Sequence, residues 1–100
     1  MKITIQSLQF TADQKLIDRA EARLQKLSQY YDRIIDVTLI MKLDGRSGQI
    51  KDKEVELLIN IPGTQIFARS TSKVFEESLD DVIESGTRQL NKFKEKLRIA

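Results

Sequence analysis

Two stretches of alternating sequence decide the fold: IDVTLIMKL (35–43) and EVELLINI (54–61). In both, apolar and polar side chains alternate with period two, the pattern of a strand that buries one face and exposes the other to water. We expect the buried face to hold Ile35, Val37, Leu39, Met41 and Leu43 from the first stretch and Val55, Leu57, Ile59 and Ile61 from the second. The exposed face then carries Asp36, Thr38, Lys42, Glu54, Glu56 and Asn60.

Turn residues and weaker alternation place two more strands around this pair. Ile3 and Ile5 alternate with polar residues at the start of the chain and predict a strand that ends near Phe10. The cluster DGRSG (44–48) predicts a hairpin loop, because glycine adopts the backbone angles that tight turns need. Pro62-Gly63 predicts a type II turn, followed by a short strand over QIFARS (65–70).

Helical spacing predicts two helices. Thr11 as N-cap, with Gln14 three residues on, starts a first helix from about Ala12 to about Tyr30. Ser72 is predicted to cap a last helix that runs to about Leu97. The core positions are predicted to be Leu16, Ile17, Ala20, Leu24 and Leu27 in the first helix and Phe75, Leu79, Val82, Ile83, Leu90, Phe93 and Leu97 in the last. Gly86 falls near the last apolar stripe and predicts close packing there. Of Tyr30 and Tyr31, we expect one in the core and the other partly exposed.

The order β-α-β-β-β-α predicts an α+β fold in two layers, formed by residues 1–100 as a single domain. The first two strands should be parallel, because a helix joins them, and the hairpins add antiparallel neighbours. The result is a four-stranded mixed sheet with both helices on one face.

Composition favours a soluble globular protein and argues against catalysis. The chain has 100 residues, of which 40% are hydrophobic and 32% charged. It has no apolar run long enough to span a bilayer and no signal peptide, so we expect a cytoplasmic protein without a membrane partner. It contains no His and no Cys, which are the commonest general base and the best nucleophile. We therefore expect no catalytic residue, metal, cofactor or small-molecule substrate.

Positive charge is concentrated on both helices, although the net charge is only +2. In the first helix a basic stripe of four residues at helical spacing contains no acid: Lys15, Arg19, Arg23 and Lys26. The chain ends RQLNKFKEKLRIA (88–100), with five cations and one acid, while residues 76–84 hold five carboxylates and no cation. The helix macrodipole explains this division within the last helix, and it also explains the Glu76, Asp80, Glu84 ladder better than a metal site does. It does not explain the basic stripe, which is typical of a protein that binds a polyanion; a solvated face is the alternative.

Three segments resemble one known family along essentially the whole chain: LSQYYDRII (27–35), IPG (61–63) and RQLNKFKEKLR (88–98). They are similar to the ribosome hibernation-promoting factors, also called ribosome-associated inhibitor A or sigma-54 modulation proteins. The resemblance implies a fold similar to double-stranded RNA-binding domains. The end at Ala100 resembles the short form of the family, without the C-terminal dimerisation domain. Gly86 and Thr87 depart from the family, which usually carries charged helix-forming residues there.

The resemblance also implies a function. Members of the family bind the small ribosomal subunit, with its 16S rRNA, in the channel that holds messenger RNA and the A- and P-site transfer RNAs, and they silence translation in stationary phase or stress. Basic residues of the two helices contact the RNA. Carried over by position, the RNA-binding residues are Lys15, Arg19, Arg23, Lys26, Arg88, Lys92, Lys94, Lys96 and Arg98.

The exposed sheet face offers a different function. Ile40 and Leu58 interrupt its polar pattern, as they would in a module that binds another protein. Binding to such a partner should depend little on salt, whereas RNA binding should weaken steeply as salt rises.

Overall fold

The elements follow the predicted order. The computed structural model describes residues 1–44 and 52–99. Its elements are β1 (Lys2–Leu8), α1 (Gln14–Gln25), a 3-10 helix (Lys26–Gln29), β2 (Asp36–Asp44), β3 (Asp52–Ile61), β4 (Thr64–Ser72) and α2 (Phe75–Ile99). The predicted α+β class is confirmed. The predicted DGRSG loop lies outside the described residues except for Asp44, which ends β2.

The four strands form one mixed sheet in the order β1-β2-β3-β4. β1 pairs with β2 in parallel, and the other two pairings are antiparallel, as predicted. The register sets Leu39 opposite Leu57, and Leu57 opposite Ala68, so that their side chains share one face. The alternation therefore sets both the face and the register of the sheet.

Both helices cover this apolar face, which confirms the two-layer prediction. Fully buried side chains come from the sheet and from both helices: Val37, Leu39, Met41, Val55, Leu57, Ile59, Leu24, Leu27, Leu79, Val82 and Leu90. Each such aliphatic side chain contributes roughly 1.5–3 kcal/mol when it is removed from water. Two residues that were predicted to lie in the core are exposed. Ile35 precedes β2 and is 56% exposed, and Leu97 is 52% exposed because the last turns of α2 extend beyond the core.

The ends of the helices differ from those predicted. Asp13, rather than Thr11, is the N-cap of α1, since its side-chain carboxylate accepts a hydrogen bond of 2.8 Å from the backbone N–H of Leu16. The segment TADQ holds two residues of N-cap type, and the later one is used. α2 begins at Phe75, so Ser72 is not the cap residue; its hydroxyl lies 2.7 Å from the hydroxyl of Ser78 in the first turn.

The turn between β3 and β4 is the predicted one. Gly63 has a φ of +86°, which the third position of a type II turn requires and which glycine adopts without strain. Ile61 and Thr64 pair across this two-residue connection. β4 is longer than predicted and continues to Ser72.

Gly86 lies where α2 comes closest to the sheet. A Cβ atom at this position would stand 2.9 Å from Leu57 Cδ2 and 3.1 Å from Ile59 Cδ1, closer than ordinary van der Waals contact. Both neighbours are fully buried, so they have little room to move. The predicted close packing at Gly86 is confirmed, and the partner is the sheet.

Replacing Gly86 with alanine should lower the free energy of unfolding by about 1 kcal/mol. Alanine gains roughly 1 kcal/mol of helix propensity, but overpacking of a tight core costs roughly 1–3 kcal/mol. Urea denaturation checks the difference. In a Leu57→Val background, which removes the atom at 2.9 Å, the same change should become neutral or stabilising. Equal destabilisation in both backgrounds would contradict a steric role for this glycine.

Candidate nucleic-acid interface between the helices

α1 and α2 lie side by side and run in the same direction. Phe10, just before α1, stacks on Phe75 at the start of α2, with ring centroids 4.6 Å apart. Tyr31, just after the 3-10 helix, meets Phe93 near the end of α2 edge to face at 5.8 Å. Two contacts in the same order along both helices fix a parallel pair, so their basic C-terminal parts lie at the same end of the molecule.

A groove of about 1020 Å³ runs between the two helices, and we call it the helix groove. The α1 side supplies Arg23 and Lys26, followed by Leu27 and Tyr30. Two columns of α2, each with a four-residue step, supply the other side: Asp80, Glu84, Arg88 and Lys92 in one, and Ile83, Thr87, Asn91 and Glu95 in the other. The fold therefore brings together four of the predicted RNA-binding residues: Arg23, Lys26, Arg88 and Lys92.

One carboxylate of α2 holds two cations of the basic stripe. Asp80 forms ion pairs with Arg23 and, at 3.5 Å, with Arg19. The basic stripe contains no acid along its own helix, but the neighbouring helix provides one, which the spacing within α1 cannot reveal. The side chain of Asp80 is 43% exposed, and ion pairs at such sites typically contribute between about 0 and 1 kcal/mol.

The other groove cations lie further along the helices, towards their C-terminal ends. Lys26, Arg88 and Lys92 form no ion pair with any residue in the ranges 1–44 and 52–99. The groove thus changes sign along its length. Near one end of the lining the carboxylates of Asp80 and Glu84 outnumber Arg23, and near the other end Lys26, Arg88 and Lys92 outnumber Glu95.

Four other predicted RNA-binding residues are not part of the groove lining: Lys15, Arg19, Lys94 and Lys96. Lys15 is exposed at the start of α1, far from the basic end. Lys94 is half-buried on another face of α2, and Lys96 is exposed one turn beyond Lys92 in the same column; the side chain of Arg98 lies outside the described part of the structure. Of the nine predicted RNA-binding residues, four therefore line the helix groove: Arg23, Lys26, Arg88 and Lys92.

Tyr30 is a groove residue that charge spacing alone does not identify. Its side chain is 42% exposed, whereas Tyr31 is only 7% exposed and packs in the core. The prediction of one core and one partly exposed tyrosine is confirmed. The useful signal in the sequence is the position of Tyr30, three residues after Leu27 and directly after the 3-10 helix, where the chain leaves the core.

The opposite side of the sheet, which we call the open face, is less polar and less exposed than its sequence predicts. Glu54 is only 5% exposed, because Lys42 and Arg69 flank its carboxylate at 3.3 and 2.6 Å, one on each oxygen. Ile40 and Leu58 are half-buried there. Phe67, directly opposite Leu58 on β4, is 47% exposed and extends this small apolar patch.

Residues 1–44 and 52–99 contain neither a cluster of metal ligands nor a membrane-spanning helix. No group of three or more acidic side chains converges there as the ligands of a metal ion would. Neither helix in this part of the chain is both long and apolar enough to cross a membrane.

Comparison with known proteins gives one consistent result. The model of the family described as "Sigma 54 modulation protein / S30EA ribosomal protein" matches residues 3–98. A ribosome hibernation promoting factor of Pseudomonas putida is 28% identical over 96 residues, which cover 96% of this chain and 89% of the relative. Another, of Klebsiella oxytoca, is 31% identical over 81 residues, covering 81% of this chain and 80% of the relative.

A solved structure shares the fold. It is that of a ribosomal subunit interface protein from Coxiella burnetii, with a TM-score of 0.82 and 21% identity; the match covers 94% of this chain and 98% of that one. The chain belongs to the sigma-54 modulation protein / S30EA ribosomal protein family. The names of the family and of these relatives are those of ribosome-associated factors, and none of them is the name of an enzyme.

The Arg23–Asp80 pair should be weak but measurable. Asp80→Asn and Arg23→Gln, singly and together, form a double-mutant cycle, and we expect a coupling of about 0.2–1 kcal/mol at low salt. Chemical denaturation measures it, and raising the salt concentration should reduce it because both groups contact water. A coupling of several kcal/mol that salt leaves unchanged would contradict a solvent-screened pair.

Proposed function

We propose that this protein binds the small ribosomal subunit, in the channel used by messenger RNA and transfer RNA, and inhibits translation in stationary phase or stress. It would act in the cytoplasm, as a single ribosome-binding domain, with 16S rRNA as its main contact. Membership of the family supports association with the ribosome, and the helix groove supports RNA as the contacted component.

The observation that carries the proposal is the convergence of cations from both helices in one groove. Lys26 from the 3-10 helix faces Arg88 and Lys92 from α2. None of the three is neutralised by an ion pair within the described residues, so each is available to a phosphate. Contacts of this kind release condensed counterions and dominate the affinity of proteins for nucleic acids.

Inhibition by this route needs no chemistry. The chain has no His and no Cys, so the usual acid, base and nucleophile are missing. A protein that fills a channel excludes other ligands by occupying their space. Its effect then depends on affinity and on where it binds, and both are functions of surface charge and shape.

The open face supports a second candidate, a module that binds another protein. The apolar patch of Ile40, Leu58 and Phe67 is the specific observation in its favour. Its binding should change little with salt, because it would depend on apolar contact. The salt dependence of small-subunit binding therefore distinguishes the two candidates.

Charge reversal in the groove should abolish binding and leave the fold intact. With Arg88→Glu and Lys92→Glu together, affinity for isolated small subunits should fall on the order of 100-fold at about 0.1 M salt, because two phosphate contacts are lost and repulsion is added. The slope of log K against log salt should decrease by roughly 1.4–1.8. The melting temperature should hardly change, since both residues are exposed and lie more than a turn from the helix end, where the macrodipole effect has faded.

The matched control reverses two cations outside the groove, Lys2→Glu and Lys73→Glu, for the same change in net charge. Lys2 starts β1, and Lys73 lies beyond β4 and pairs with Asp52. Their loss should leave most of the affinity. Sedimentation of the chain with small subunits measures both variants. Normal binding by the groove variant would remove these residues from the RNA interface.

Neutralising Asp80 should have the opposite effect. Asp80→Asn releases Arg19 and Arg23 and removes one acid from the groove, so affinity for small subunits should rise by up to about tenfold. Glu76→Gln serves as the control, because it removes an equal charge from the first turn of the same helix outside the groove lining. An unchanged or weaker affinity of the Asp80 variant would mean that the arginine end of the groove does not face RNA.

A further inference from the structure

We propose that Tyr30 is a stacking platform for one unpaired RNA base, and that the basic end of the helix groove therefore takes single-stranded rather than duplex RNA. The inference rests on the proposed function for the kind of polymer bound. It adds one binding residue, Tyr30, and a preference for single-stranded over duplex RNA. Cations alone cannot provide this preference, because both forms of RNA present phosphates.

The first observation is that the aromatic ring of Tyr30 is partly exposed and has neither a polar nor an aromatic partner in the described residues. Its side chain is 42% exposed in the groove. Within residues 1–44 and 52–99 it makes no side-chain hydrogen bond and no ring contact, in contrast to Tyr31, which packs against Phe93. An exposed ring of this size presents apolar surface to water, and a stacked base would cover it.

The second observation is the charge around the ring. Lys26 precedes Tyr30 by four residues, and Arg88 and Lys92 line the facing helix. A nucleotide carries a flat base and an adjacent phosphate, and this end of the groove offers a ring beside unpaired cations. Proteins that bind single strands combine these two elements, a basic groove and an aromatic platform.

A base within a duplex has both faces covered by its neighbours, so it cannot stack on a side chain. The groove could hold duplex phosphates through its cations, but Tyr30 would then contribute nothing. The contribution of the Tyr30 ring to binding affinity therefore shows whether an unpaired base lies in the groove.

Phe67 provides the matched comparison. It is an aromatic residue of similar exposure, 47%, but it lies on the open face, where Arg69 is held by Glu54. If exposed aromatic surface alone were enough, Phe67 and Tyr30 would serve equally well. The cations beside Tyr30 make the difference, and they select RNA rather than an apolar protein surface.

The experiment compares Tyr30→Phe, Tyr30→Leu and Phe67→Leu for binding to isolated small subunits. Tyr30→Phe keeps the ring and should bind like the unchanged chain. Tyr30→Leu keeps apolar bulk without a ring and should bind about 5- to 150-fold more weakly, the effect of one stacked base. Phe67→Leu should bind normally. All three should melt at nearly the temperature of the unchanged chain, because both positions are exposed.

A second readout detects stacking directly. The chain contains two tyrosines and no tryptophan, so its emission comes from Tyr30 and Tyr31. At low salt, a short non-self-complementary RNA should quench the Tyr30 emission of a Tyr31→Phe variant, whereas the same strand in a duplex should not. The single strand should also bind more tightly than the duplex; equal quenching by both forms, or equal affinity for them, overturns the proposal.

The remaining outcomes separate this inference from the proposed function. Normal small-subunit binding by Tyr30→Leu overturns stacking and leaves the proposed function standing. Loss of binding in Tyr30→Phe as well as Tyr30→Leu assigns the role to the hydroxyl and also overturns it. Loss in Phe67→Leu alone would point to a protein bound on the open face. If the unchanged chain ignores small subunits but short single strands quench Tyr30, the proposed function fails and the stacking site remains.

Discussion

The contact between Gly86 and the sheet is the constraint on which the rest of this structure depends. A helix of 25 residues lies so close to Leu57 and Ile59 that a Cβ atom at position 86 would require their side chains to shift. Glycine costs a helix roughly 1 kcal/mol, and the close approach it permits buries Leu79, Val82 and Leu90 on the same apolar face as α1. With both helices pressed onto one face, their outward sides form the walls of a groove. The position of the helix groove is thus a consequence of how the core packs.

Charge in the groove is distributed by pairing between helices as well as by the macrodipole. Acids in the first half of α2 and cations in its second half suit the dipole of that helix. The same arrangement sets Asp80 against Arg19 and Arg23, while Arg88 and Lys92 extend beyond the reach of any acid on α1. The acidic half of α2 thus adds a weak, solvent-screened link to α1, whereas Arg88 and Lys92 in the basic half form no ion pair within the described residues.

Most of the fold could be predicted because period-two and helical patterns are local. The alternation at 35–43 and 54–61 predicted the buried face of the sheet, except at Ile35, and Pro62-Gly63 predicted one hairpin turn. The wrong predictions concern residues whose burial depends on distant parts of the chain, or helix ends at which two neighbouring residues could both act as the cap. In TADQ, both Thr11 and Asp13 are suited to the N-cap position of α1. Leu97 has core spacing but no sheet beneath it, and Glu54 has surface spacing but two cations from neighbouring strands around it.

The candidate site was predictable in part for the same reason. Helical spacing identifies the cations, but only the packing of α1 beside α2 shows that four of them line one groove. The same packing shows that Asp80 pairs with Arg23 in the lining and with Arg19 outside it. A likeness to a solved structure at 21% identity shows that the frame of sheet and helices tolerates the replacement of most side chains. The shared backbone arrangement of sheet and helices determines where a groove forms, but not which side chains line it. The family indicates the ribosome as the setting, and the placement of Lys26, Tyr30, Arg88 and Lys92 determines what this particular chain could hold there.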